Sequence, residues 1–169
     1  RDGNQAGDYG LKEIHSNLMK QALRQAERAF ELGEVPVGCI IVRENKIIAK
    51  AYNQIETLKD PTAHAEMLAL TSAFDALQNK ILKGCSMYVT LEPCAMCAGA
   101  LVLSKIDTVY FGSYDLKTGA CGSVINITNN KSFNHKVKVY GGVLDTECAF
   151  LLKAFFESKR SGQNGYSVN

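Results

Sequence analysis

Two short stretches carry residue types that can do chemistry together: His64-Ala65-Glu66 and Pro93-Cys94-Ala95-Met96-Cys97. They supply one imidazole, two thiols and one carboxylate. An imidazole and two thiolates form a borderline-to-soft donor set, which suits zinc. Three protein donors leave a tetrahedral ion one ligand short. Structural zinc sites are normally closed by four protein ligands, whereas an open position admits water or substrate and marks a catalytic site. Glu66 is then the group placed to move protons on and off that water. The same residues have other uses. A C-x-x-C pair can be redox-active in a cytosolic chain, and free cysteines often simply pack in a core. Glu66 could also belong to a capping box opened by Thr62, but that box needs its acid at position 65, which is alanine.

The elements that must position these groups can be followed along the chain. Apolar residues at helical spacing, Ile14, Leu18, Ala22, Ala26 and Ala29 with Leu23 and Phe30, predict a helix over residues 14–32, stopped by Gly33. Lys20, Arg24 and Arg28 fall off that face and read as solvated. Residues 39–42 and 47–52, separated by a polar turn, predict a hairpin. Asp60-Pro61-Thr62 is expected to open a helix running to residue 77. Strands are expected at 87–90, 109–111 and 136–140, and helices at 94–104 and 146–158. From residue 47 strands alternate with helices, which predicts an α/β sheet with parallel crossovers.

Both motifs therefore fall at helix starts. Residues two apart do not share a helix face, so His64 and Glu66 can both approach one metal only if it lies over the helix end. Helix N-termini carry partial positive charge. Two of them aimed at one point favour the thiolate forms of Cys94 and Cys97.

The bulk properties set limits. At 169 residues the chain makes one domain with a sizeable core. The expected boundaries are a poorly ordered segment at 1–11, a domain at 12–158 and a flexible tail at 159–169. No stretch has the apolar length of a membrane span and the start shows no signal-peptide pattern. The six cysteines are expected to be reduced, in the cytoplasm. Net charge is +2, with 11 basic and 12 acidic residues up to position 100 and 8 and 5 after it. That lean suits an anionic partner.

H-x-E followed by P-C-x-x-C is the signature of zinc-dependent nucleoside and nucleobase deaminases, with a non-ligating glutamate. The resemblance extends through Glu34-Val35-Pro36-Val37-Gly38, Asn53, Asp60-Pro61-Thr62-Ala63, Leu91-Glu92, Asp115, 117–123, Glu147-Cys148 and Phe155-Phe156. Over residues 14–157 the chain resembles the bacterial tRNA-specific adenosine deaminases. The resemblance implies a cytidine-deaminase-like three-layer α/β fold, with a central five-stranded mixed sheet flanked by helices. It implies one zinc per chain on His64, Cys94 and Cys97, with Glu66 as proton shuttle. It implies hydrolytic conversion of adenosine to inosine at the wobble position of a tRNA anticodon stem-loop. Asn53 would hydrogen-bond the flipped base, Val35 and Ala65 would line its pocket, and Asp115 would meet the neighbouring nucleotide. Asn53 could instead be a turn residue and Asp115 a loop cap. A homodimer is implied too, with the apolar helix after Cys94 in its interface and the second subunit contributing to RNA binding. The same zinc chemistry would also serve a deaminase of a free base or nucleoside of the guanine or cytosine type. A zinc-stabilised binding module is the third possibility, but it has no use for Glu66.

Overall fold

The computed structural model describes residues 5–163, with side chains for 10–162. A seam of Met19, Ala22, Ala26 and Ala29 at helical spacing winds into α1 (Gln5–Glu31) and is fully buried. The helix stops as expected. Gly33 adopts φ +75°, the Glu34 N–H donates to the Ala29 carbonyl at 2.9 Å and the Gly33 N–H to that of Phe30 at 3.0 Å. This is a Schellman closure. The start is a correction. The helix expected from residue 14 begins at Gln5, because an established helix gains one hydrogen bond for each residue added. Residues 1–4 of the segment expected to be poorly ordered lie outside the described residues.

Two strands follow, β1 (Gly38–Arg43) and β2 (Lys46–Tyr52), paired antiparallel as the predicted hairpin. Glu44 and Asn45 both have positive φ, 51° and 61°, as a two-residue primed turn demands. A single helical turn, α2 (Ile55–Leu58), was not foreseen, since four residues are too few to show a period. The helix expected to open at Asp60-Pro61-Thr62 opens later, as α3 (Ala65–Leu77). Asp60 Oδ1 accepts instead from the Thr62 N–H at 2.8 Å and hydroxyl at 2.7 Å, closing a local turn. The remaining elements are β3 (Cys85–Leu91), α4 (Ala95–Ser104), β4 (Thr108–Ser113), β5 (Lys138–Tyr140) and α5 (Asp145–Gln163). α5 carries helix past residue 158, where the tail was expected to begin. Residues 164–169 lie outside the described residues.

The sheet order is β2-β1-β3-β4-β5, with β1 antiparallel to both neighbours and β3, β4 and β5 parallel. Period-2 alternation sends successive side chains to opposite faces. Cys39, Ile41, Met87, Val89, Val109 and Phe111 pack with Ala69, Ala73, Ala98 and Leu101 of α3 and α4. Ile40, Val42 and Tyr88 pack with Met19 and Ala22 of α1 and Cys148 of α5. Three layers result, around a five-stranded mixed sheet. A Cβ on Gly38 would overlap the Ala22 carbonyl oxygen, so this glycine lets α1 lie on the strand backbone. α3 and α4 begin at the edge where β3 and β4 end, the usual place for a ligand on an open α/β sheet.

Candidate active site

His64 is the N-cap of α3 and Cys94 the N-cap of α4, yet neither side chain caps its own helix. Both turn toward a common point, joined by Cys97 from the first turn of α4. The three donor atoms all lie within 4.8 Å of one another. His64 Nδ1 is 3.6 Å from Cys94 Sγ and 3.6 Å from Cys97 Sγ. Zinc–sulfur bonds of about 2.3 Å and zinc–nitrogen bonds of about 2.0–2.1 Å at a tetrahedral angle place N and S about 3.6 Å apart. The residues therefore fit a zinc ion in both chemistry and spacing. They also fit an open fourth position, since this is the one group of three or more such donors among the described residues.

The electrostatics agree. The two thiols titrate as a pair. Cys94 falls to about 4, chiefly through the hydrogen bond from Cys97 and then through His64. Cys97 rises, because its proton serves the Cys94 sulfur and because it is buried. The Cys94 sulfur in turn raises His64, against the effect of burial. Glu66 is 4% exposed, and desolvation is the main cause that raises its carboxyl, opposed first by a hydrogen bond from its own backbone N–H. A carboxyl raised by burial is suited to both taking and giving a proton near neutral pH.

A cavity of about 190 Å³ adjoins these groups and reaches His64, Glu66 and Cys94. It is smaller than the roughly 300–1,000 Å³ of sites for drug-sized ligands, which suits one flat base. Val35, Asn53 and Asp115 line it. Ala65 does not. Its side chain is buried in the core under α3, and what it offers the site is its backbone N–H. Asn53 Oδ1 accepts from that N–H, one of the orphan donors at the start of α3. Asp115 both lines the cavity and caps its own loop. Its Oδ1 accepts from the Lys117 and Thr118 N–H groups and its Oδ2 from the Thr118 hydroxyl. Burial raises its carboxyl, but these bonds outweigh that and hold it below the usual range.

Two buried carboxylates that build the walls had no role assigned from sequence. Glu92 accepts from the N–H groups of Asp115, Cys121 and Ser123 at 3.1–3.2 Å and from the Ser123 hydroxyl. It holds the 115–123 loop over the cavity, and a Cβ on Gly119 would collide with it. Glu34 accepts from the Glu56 N–H, the Thr57 N–H and the Thr57 hydroxyl, and so caps α2 from a distance. The available signal was an acid directly preceding Val35-Pro36 or Pro93. Partners 22–31 residues away gave no pattern to find.

Residues 12–113 match the cytidine and deoxycytidylate deaminase zinc-binding region. The chain is similar to a tRNA-specific adenosine deaminase of Aquifex aeolicus, 54% identical over 144 residues that cover 85% of this chain and 95% of that protein. It is 47% identical over 151 residues to a tRNA-specific adenosine deaminase of Bacillus subtilis, covering 89% and 94%. Among solved structures, one from a study of A-to-I editing by tRNA:A34 deaminases at the wobble position superposes with a TM-score of 0.76. It is 38% identical, over 79% of this chain and 96% of that one. A guanine deaminase of Nitrosomonas europaea superposes with a TM-score of 0.70 at 21% identity over 81% of each chain, a likeness of fold alone.

Proposed function

Because this chain belongs to the cytidine and deoxycytidylate deaminase family, and within it to the tRNA-specific adenosine deaminases, we propose that it hydrolyses adenosine to inosine at the wobble position of a tRNA anticodon. The observation that carries the chemistry is the convergence of His64 Nδ1 on two cysteine sulfurs, each 3.6 Å away, beside the buried Glu66. His64, Cys94 and Cys97 hold one zinc per chain. When bound, zinc supplies Lewis-acid activation of water at neutral pH. Glu66 takes a proton from the water that attacks C6 and delivers it to N1 of the purine. It then takes the second proton, from the new C6 hydroxyl, and gives it to the exocyclic amine; the C6–N bond breaks, ammonia leaves, and the C6 carbonyl of inosine remains.

The other residues orient the base. With Oδ1 committed to the Ala65 N–H, the Asn53 amide has its Nδ2 donors left for the ring. Val35 packs against the ring. A carboxylate has about four acceptor positions, and the Asp115 loop takes three of them. One is left to accept from a ribose hydroxyl of the neighbouring nucleotide. A base must leave its stack to enter such a cavity, so a single-stranded anticodon loop is the natural substrate. We infer a homodimer with α4 in its interface. Leu103 is 80% exposed, and Ala100 and Leu103 border an apolar groove of about 500 Å³ shared with Met67, Leu70 and Phe74 of α3. A helix buried wholly within one subunit would not leave them open. The cytoplasm, where six unpaired thiols persist, is the proposed compartment. No helix among the described residues is long and apolar enough to cross a membrane.

The test is incubation of purified protein with an anticodon stem-loop carrying adenosine at the wobble position. Inosine and an equivalent of ammonia are expected, and an unchanged stem-loop would overturn the proposal.

A further inference from the structure

Glu92 stands two residues before Cys94 and is 2% exposed. It lines the catalytic cavity together with Asp115 and Thr118. Among the described residues, every donor to its carboxylate comes from the 115–123 loop. Oε1 accepts from the Asp115 N–H at 3.2 Å and from the Ser123 hydroxyl. Oε2 accepts from the Cys121 and Ser123 N–H groups, each at 3.1 Å. These bonds take up the roughly four acceptor positions a carboxylate has. The backbone beside it makes the same connection. The Glu92 N–H donates to the Ser113 carbonyl at 2.9 Å, and the Ala120 N–H to the Pro93 carbonyl at 2.9 Å. Gly119 passes so close that a Cβ there would overlap the Glu92 carboxylate and the Asp115 carbonyl.

No cation pairs with Glu92 among the described residues. A buried carboxylate without a counter-ion is stable only while its donors stay in place, so the loop and the carboxylate fix one another. The cavity has two halves of different origin. His64, Glu66 and Cys94 stand at the starts of α3 and α4. Asp115 and Thr118 stand on a loop outside any helix or strand, joined by the bond from the Thr118 hydroxyl to Asp115 Oδ2. Glu92 is the joint between the halves. Its main chain leads directly into Pro93-Cys94, and its side chain carries the loop.

We propose that Glu92 is a positioning residue for the RNA substrate. It sets the Asp115 carboxylate at a fixed distance from the His64, Cys94 and Cys97 cluster, so that the reacting adenosine and the sugar of its neighbour are held in register. With its own acceptor positions taken, it acts through Asp115 and not on the substrate. This rests on the sugar contact proposed for Asp115 above.

Glutamine probes the link at one bond. In Glu92→Gln the side-chain oxygen can stay opposite the Cys121 and Ser123 N–H groups, and the amide can donate to the Ser123 hydroxyl oxygen. The Asp115 N–H then faces a donor and loses its acceptor. The measurement is kcat/KM for conversion of an anticodon stem-loop. The proteins are wild type, Glu92→Gln, Asp115→Asn, Asn53→Asp, and the two double variants that join Glu92→Gln to each of the others. Zinc content and melting temperature check that each is folded. Glu92→Gln should keep its zinc and lose about 10–100-fold, the scale of a misplacement of about 1 Å. Joined to Asp115→Asn, it should lose no more than about twofold beyond the worse single variant, because both changes remove one contact. Asn53 lies at the end of β2, three strand spacings or about 14 Å across the sheet, so losses joined to Asn53→Asp should multiply. Losses that also multiply with Asp115→Asn, a Glu92→Gln variant at wild-type kcat/KM, or one that has lost its zinc overturn the positioning role. Gly119→Ala displaces the loop from the other side of the same contact and should couple to Asp115→Asn in the same way. It decides the question where Glu92→Gln does not fold. Wild-type kcat/KM in Asp115→Asn overturns the sugar contact and the part of Glu92 with it, whereas a wild type that leaves the stem-loop unconverted overturns the substrate assignment itself.

Discussion

The Asn53 side-chain carbonyl accepts the backbone N–H of Ala65 at 2.7 Å, so one buried amide both caps α3 and faces the catalytic cavity. The two duties can be separated. Asn53→Asp keeps the acceptor for Ala65 but turns the cavity-facing donor into a second acceptor. It should melt close to wild type and lose about 10–100-fold in kcat/KM, the equivalent of about 1–3 kcal/mol. Asn53→Ala also leaves the helix uncapped and should cost a further 1–2 kcal/mol or so of stability. Wild-type kcat/KM in the aspartate variant would remove Asn53 from substrate binding.

Metal analysis should find one zinc per chain. Cys94→Ser and Cys97→Ser should lose it. Serine at Cys39, Cys85, Cys121 or Cys148 should not, because none of those sulfurs belongs to the three-donor cluster. Full zinc in both the Cys94 and Cys97 variants would sink the assignment.

Glu66→Ala should keep fold and zinc and lose turnover. A single general acid–base group contributes about 10²–10⁴-fold, and Glu66 is proposed to serve several proton transfers, so the loss should reach at least that range. Activity within a few-fold of wild type would rule it out.

Glu34 links the cavity wall to pH. Burial pulls its carboxyl up, but three hydrogen bonds from Glu56 and Thr57, helped by the Lys59 charge, bring it below its ordinary 4.5. A depressed carboxyl adds stability that is present above its unfolded-state value and is lost as pH falls through the lower folded value. Glu34→Gln should therefore cost about 1–3 kcal/mol at pH 7, since its amide would face N–H donors. The gap to wild type should close on acidification below 4.5. Urea unfolding from pH 7 to pH 3 measures this, and parallel curves for the two proteins would contradict it.

The substrate is decided by comparing an anticodon stem-loop with free adenosine, cytidine and guanine. A macromolecular substrate can use contacts remote from the reacting base to raise turnover. The stem-loop should be favoured at least ~10³-fold in kcat/KM, about 4 kcal/mol. Comparable values would promote the free-base or nucleoside deaminase.

The cluster of His64, Cys94 and Cys97 and the glutamate beside it were legible in the chain because such a donor set needs only residue types at fixed short spacing. His64-Ala65-Glu66 and Cys94-Ala95-Met96-Cys97 each lie on one helix start, where local geometry carries sequence spacing directly into space. The β1–β2 hairpin and the α1 stop at Gly33 were legible for the same reason, since turn chemistry and capping are local. α2 was too short to show a period, and the N-terminal turns of α1 are carried by propagation from the stronger helix behind them.

What only the tertiary structure decided is where long-range hydrogen bonds and ring contacts fall. Sequence marked Asn53 and Asp115 as candidates by resemblance. It could not say that Asn53 would spend its oxygen on Ala65, or that Asp115 would close its own loop while facing the cavity. Nor could it separate the Ala65 side chain, which is core, from its N–H, which serves the site. Glu34 and Glu92 stood only within the stretches that carry the resemblance, with no role of their own, and Arg28 read as a solvated cation. Their contacts are with backbone N–H groups and an aromatic ring that sheet pairing and helix packing deliver from 22–31 residues away. Helix period and metal spacing are properties of neighbouring residues. The partner of a buried carboxylate is set by which segments the fold brings alongside it, and a single sequence carries no local record of that.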